Sequence, residues 1–188
     1  MRSLKTCRKT SLLLATLLLG GSAFQPVQAD TLTFSARLMP GTCTFTLTRA
    51  TVDLGTLMVG EFQPSTLVKP QLFALTVGNC SGTDASLRPL VVITGDGAIQ
   101  DGRWLFRASD STASSGIGVM LVKTSVVPVY SDTEVRSNDV VYLAPTGVNP
   151  GNTNIYFYAA ATCGSGARCT NISSGQIIAR VMFELDYR

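Results

Sequence analysis

Residues 175–188 read Gly-Gln-Ile-Ile-Ala-Arg-Val-Met-Phe-Glu-Leu-Asp-Tyr-Arg, and their polarity alternates. Counting back from Tyr187 in steps of two gives Leu185, Phe183, Val181, Ala179 and Ile177, all apolar or aromatic. Arg188, Asp186, Glu184, Arg180 and Gln176 fall in the other set. Successive side chains of an extended chain point to opposite faces, so this pattern specifies a β-strand with one side buried. Ile178 and Met182 interrupt the polar side. With only Arg188 beyond its last inward aromatic, the strand has no hairpin partner after it. It is expected inside a sheet or along an edge open to pairing with another chain.

At the other end, Arg2, Lys5, Arg8 and Lys9 precede the apolar run 12–19, and small residues follow. That is the layout of a secretory signal, with an apolar run too short to span a bilayer. Cleavage after Ala29, leaving Asp30 first, is favoured by Val27-Gln28-Ala29; a second candidate cut follows Ala23. The domain boundaries are therefore signal peptide 1–29 and a single domain 30–188. Four of the 15 basic residues and none of the 12 acidic ones leave with the signal, so the exported part is slightly acidic. No Lys/Arg cluster remains to support a nucleic-acid partner.

Cys7 also leaves, and Cys43, Cys80, Cys163 and Cys169 stay. An even number of exported thiols points to disulfides, and four cysteines allow three connectivities. The link Gly164-Ser165-Gly166-Ala167-Arg168 is flexible and favours a bond between Cys163 and Cys169, which leaves Cys43 for Cys80. A metal or redox site at the short pair is disfavoured, because the chain has no histidine and five residues intervene rather than two.

Between these landmarks the chain reads as short strands and turns. Leu32, Phe34, Ala36 and Leu38 alternate before Pro40-Gly41, and Cys43-Thr44-Phe45-Thr46-Leu47 resumes ahead of Val52-Asp53-Leu54-Gly55. Phe73, Leu75 and Val77 alternate toward the turn Asn79-Cys80-Ser81-Gly82. Leu90-Val91-Val92-Ile93 and Trp104-Leu105-Phe106 are separated by Gly95-Asp96-Gly97 and Asp101-Gly102. Residues 108–115, nearly all Ser, Thr, Ala and Asp, read as a surface loop. In 116–122 the glycines Gly116 and Gly118 suggest a bulge or a close backbone approach; no helix-forming segment follows them, as a phosphate-binding loop would need. Apolar runs at 126–130, 140–143 and 155–161 follow, the last leading into the cysteine loop. No 3.6-residue apolar period persists, so about nine short strands imply an all-β sandwich.

The residue inventory argues against catalysis. Without histidine, Ser/His/Asp and Cys/His nucleophiles cannot be built, and no cofactor motif is present. The acidic residues are scattered, mostly at turns where aspartate has a conformational role. The expectation is a non-enzyme without catalytic, cofactor or metal residues.

In order and spacing, several of these segments are similar to those of fimbrial subunits (pilins) of the chaperone-usher pathway, as in type 1 and P pili. They are the strand entering Cys43, the Val52-Asp53-Leu54-Gly55 signature, Phe73-Ala74-Leu75 leading to Cys80, Gly116-Ile117-Gly118-Val119, Asn154-Ile155-Tyr156-Phe157-Tyr158-Ala159, and the terminal alternation with Tyr187. The resemblance implies an incomplete immunoglobulin-like β-sandwich, the pilin fold, that lacks one strand and is completed by donor-strand complementation. It implies three partners: a periplasmic pilus chaperone, an outer-membrane usher and neighbouring pilus subunits. The chaperone would pair with the edge formed by Ile177, Ala179, Val181, Phe183, Leu185, Tyr187 and Arg188.

The expected function is thus a structural subunit of an adhesive surface fimbria, exported through the periplasm to the cell surface and assembled by donor-strand exchange. Cleavage after Ala29 leaves only residues 30–42 before the first cysteine, shorter than the arms usual in the family, which suggests a minor or tip position. Cleavage after Ala23 would restore Phe24 and Val27 to the arm. The alternative is a single-domain adhesin binding a host receptor or glycan through exposed aromatics such as Trp104, Tyr130 or Tyr142.

Overall fold

The apolar alternations sort into two facing sheets in the computed structural model, which describes residues 41–113 and 116–188. The signal segment, its cleavage position at Ala29 and Asp30, and the strand expected over 31–38 lie outside the described residues. The larger sheet has the order β1-β2-β8-β6-β5-β4, with β1 Thr42–Leu47, β2 Val68–Ser81, β4 Gly97–Gln100, β5 Arg103–Phe106, β6 Gly118–Lys123 and β8 Thr153–Thr162. The smaller has the order β7-β3-β9, with β3 Pro89–Thr94, β7 Asp139–Tyr142 and β9 Met182–Tyr187. All the pairings are antiparallel.

Period-two burial explains why the sheets face each other. Phe73, Leu75 and Val77 of β2, with Phe157 and Ala159 of β8 and Leu121 of β6, turn toward Val91 and Ile93 of β3 to form the main core. Phe73 stacks on Phe157 with centroids 5.5 Å apart, and Phe183 of β9 closes on Phe157 at 5.4 Å. The β4–β5 hairpin turns at Asp101 (φ 50°) and Gly102 (φ 81°), the two left-handed residues that a tight hairpin turn needs. Gly118 permits a close approach, since a Cβ there would stand 2.7 Å from Leu105 Cβ. The disulfides are Cys43–Cys80, joining β1 to β2, and Cys163–Cys169, closing the loop after β8.

Three expectations need correction. The terminal strand is not continuous from residue 175: the ladder with β3 begins at Met182, paired with Thr94. Upstream, the Gln176 carbonyl accepts hydrogen bonds from the Thr112 and Ala113 N–H groups, and Ala108 N–H donates to the Ile178 carbonyl. Those bonds also correct part of the surface loop expected over 108–115: Ser109, Asp110 and Thr112 are exposed, but Ala108 and Ala113 are buried against this segment. Residues 126–130 form no strand. Pro128 supplies no N–H for a ladder, and Val126, Val127 and Val129 are exposed while Tyr130 folds inward against the cluster of Leu105, Met120 and Val122.

Candidate functional site

Strand β9 is hydrogen-bonded to β3 along one side and, among the described residues, has no strand on the other. β1, which begins the opposite wall, is likewise paired only with β2. From Leu47 to Val68 the chain joins no sheet; it is bent at Gly55 (φ 69°), where its N–H donates to Asp53 Oδ1 at 2.8 Å, and makes one 3-10 turn at Val59–Glu61. Between these two segments lies a cleft of about 1150 Å³.

Each wall follows from its local sequence. On one side Leu47, Val52, Leu54 and Leu57 point in, while Thr51, Asp53 and Thr56 are exposed. On the other, Ile177, Ala179, Val181 and Phe183 point in, and Arg180, Met182 and Glu184 are exposed. The floor is the core itself, with Phe73, Phe106, Ile117, Leu121 and Ala159. Arg49, Asp53 and Arg180 are the charged residues of the lining. Arg180 is turned outward by a paired contact with the Asp110 carboxylate, its two terminal nitrogens at 2.8 and 2.7 Å; those hydrogen bonds hold the Asp110 carboxyl below its ordinary value. The interior of the cleft is thus apolar and its rim polar.

The structure divides the anticipated edge residues into two groups. Ile177, Ala179, Val181 and Phe183 line the cleft, whereas Leu185 and Tyr187 lie beyond its end. Leu185 is half-buried opposite Val91. Tyr187 is buried, its ring hydroxyl close to Gly41, where any added side chain would collide with it and with the Gly82 carbonyl. Burial raises the Tyr187 hydroxyl above its ordinary value. Arg188 is exposed; its backbone exchanges two hydrogen bonds with that of Arg88, at 2.6 and 3.1 Å, and its guanidinium meets Asp186 at 3.0 Å.

Sequence reasoning singled out one wall and missed the other. Val52 and Leu54 alternate, but Gly55 ends the alternation and no hairpin signal pairs them with anything. Of the aromatics considered for ligand binding, Trp104 packs edge-on against Phe106 with centroids 6.0 Å apart, and Tyr130 is half-buried. Tyr142 is 50% exposed, with the Arg88 guanidinium 3.7 Å above its ring.

No protein-family model and no curated protein matches the chain. Solved structures are similar to it, and one of them shares its fold at a TM-score above 0.5. It is similar to a subunit in the structure of a chaperone-usher pilus concerned with rod uncoiling, at 16% identity and a TM-score of 0.53, covering 87% of this chain and 98% of that one. It is also similar to the P pilus rod subunit PapA (18% identity, 84% and 100% covered, TM-score 0.47). A Burkholderia pseudomallei antigen and type I fimbria protein matches at 15% identity, 78% and 99% covered, with a TM-score of 0.48. The fold class is thus the immunoglobulin-like sandwich of pilus subunits.

Proposed function

We propose that this chain is a structural subunit of a surface fimbria, and that its cleft accepts an extended strand from another polypeptide. The observation that carries the proposal is the apolar cleft beside the segment that leads into β9, a strand that among the described residues is paired on one side only. A strand laid there would run beside residues 177–183, up to the start of β9, and place alternate side chains between Leu54 and Val181. Burying one Val, Leu, Ile or Phe side chain contributes about 1.5–3 kcal/mol. Four of them would contribute on the order of 6–12 kcal/mol before the cost of ordering the strand.

In this reading the chain is exported after loss of residues 1–29. A periplasmic chaperone first covers the cleft, and at the outer-membrane usher a neighbouring subunit's arm takes its place. The fibre then stands on the cell surface and contributes to adhesion. A minor or tip position belongs to the same proposal and depends on the arm length. N-terminal sequencing of the exported protein decides it: Asp30 as first residue supports the short arm, and Phe24 removes the reason for it.

The main test is thermal unfolding of the exported protein alone and with an extended peptide of alternating apolar residues. A bound strand stabilises the folded state by mass action, so the midpoint should climb with peptide concentration. A stable monomer indifferent to every such peptide would sink the proposal.

A further inference from the structure

One end of the cleft is built on the second disulfide. Cys163 is fully buried, and with Cys169 it packs among Leu54, Leu57, Phe62, Ile117, Ile172 and Ile177, all six of which line the cleft. The ring 163–169 is fastened from outside at several points. Gln100 Nε2 donates to the carbonyls of Cys163 (2.6 Å) and Gly116 (2.8 Å). Asp101 Oδ2 accepts from the N–H groups of Ser165 (2.9 Å) and Gly166 (2.8 Å), and Ser65 N–H donates to the Gly164 carbonyl at 2.8 Å. The ring is therefore tied to the β4–β5 turn, to the approach to β6 and to the segment before β2.

Directly after the ring comes cleft wall. Residues 172–175 line the cleft and make no backbone hydrogen bond among the described residues. Their position is set from their two ends: by the ring at Cys169, and by the bonds of Gln176 and Ile178 to residues 108–113. Of the apolar side chains of this wall, Ile172 and Ile177 rest on the sulfur-containing cluster. The disulfide at Cys169 is thus the upstream support of this end of the cleft.

From this we infer that the Cys163–Cys169 ring holds open a preformed seat, between Leu54, Leu57, Ile172 and Ile177, for one apolar side chain at the end of the incoming strand. The inference rests on the strand-accepting reading and adds to it a specificity element. The ring sets which end of the incoming strand must be apolar, and it removes from binding the cost of ordering that wall.

The probe is a synthetic peptide of residues 30–39 of this chain, with Leu32→Gly and Leu38→Gly versions that each empty one end. Each is titrated against the exported protein and against the C163A/C169A variant. The parent peptide should bind the variant about tenfold more weakly. One glycine peptide should bind both proteins equally, and the other should keep the tenfold difference. An equal loss for all three peptides, or no loss for any, overturns the inference. Asp101→Ala keeps the disulfide but frees the ring from its anchor; it should give the same pattern at smaller size, and it decides the matter if the double variant does not fold. If no peptide of this sequence binds the intact protein, the strand-accepting reading is decided by the thermal-unfolding series with other extended peptides, and the ring is judged by hydrogen exchange. Faster exchange confined to 172–178 in the variants supports it as the brace of this wall, and unchanged exchange overturns it.

Discussion

Glu134 is 4% exposed and is satisfied from several directions: by Arg103 at 2.6 Å, Arg136 at 2.7 Å and the Trp104 N–H at 3.3 Å. Burial pushes its pKa up, but the hydrogen bonds from Arg103, the backbone and Arg136 more than reverse this and leave it at about 2. A folded pKa below the unfolded one means that the unfolded chain binds the extra proton. The stability from this carboxylate is therefore complete above the usual glutamate range and is lost as pH falls through about 2. Glu134→Gln should cost about 2–3 kcal/mol near neutral pH, with the solvent-accessible arginines limiting the loss. Urea unfolding of parent and variant should show that gap shrinking as the solution is acidified toward pH 2. With the carbonyls of Ser131 and Asp132, which also accept from Arg103, the cluster pins residues 131–134 to β5, a contact invisible in the sequence because Arg103 and Glu134 are 31 residues apart.

Among the elements, β5 and β6 meet where Gly118 has no side chain. An alanine Cβ there would stand 2.7 Å from Leu105 Cβ and 3.2 Å from the Phe106 carbonyl oxygen. Gly118→Ala should therefore destabilise by about 1–3 kcal/mol in denaturant unfolding, from overpacking. Gly60→Ala, with nothing within 4 Å of the added carbon, should fall within about 0.5 kcal/mol of the parent. The close approach was legible in the spacing of Gly116 and Gly118. The clamp of residues 108–113 on 176–178 was not, because it joins backbone groups and the Ser111 and Thr112 hydroxyls to a segment more than sixty residues away, and a Ser/Thr/Ala/Asp stretch carries no alternation to announce it.

For the molecule as a whole, the Cys43–Cys80 bond ties β1 to β2 across a separation of 37 residues. Replacing both cysteines with alanine should lower unfolding free energy by about 2–4 kcal/mol, read by denaturant titration of the oxidised parent against the variant. Loosening β1 also loosens the start of the cleft wall after Leu47, so any strand bound there should dissociate faster from that variant. The sequence alone determined the all-β class, both disulfides and the inward face of the last strand, because period-two burial and cysteine spacing are local and survive without knowledge of neighbours. Only the tertiary structure decided that Val52, Leu54 and Leu57 stand across from Val181 and Ile177, and that the second disulfide backs one end of the space between them. Such a cleft is made by segments more than a hundred residues apart, and what brings them together is the packing of two sheets on a shared core, which no local pattern encodes.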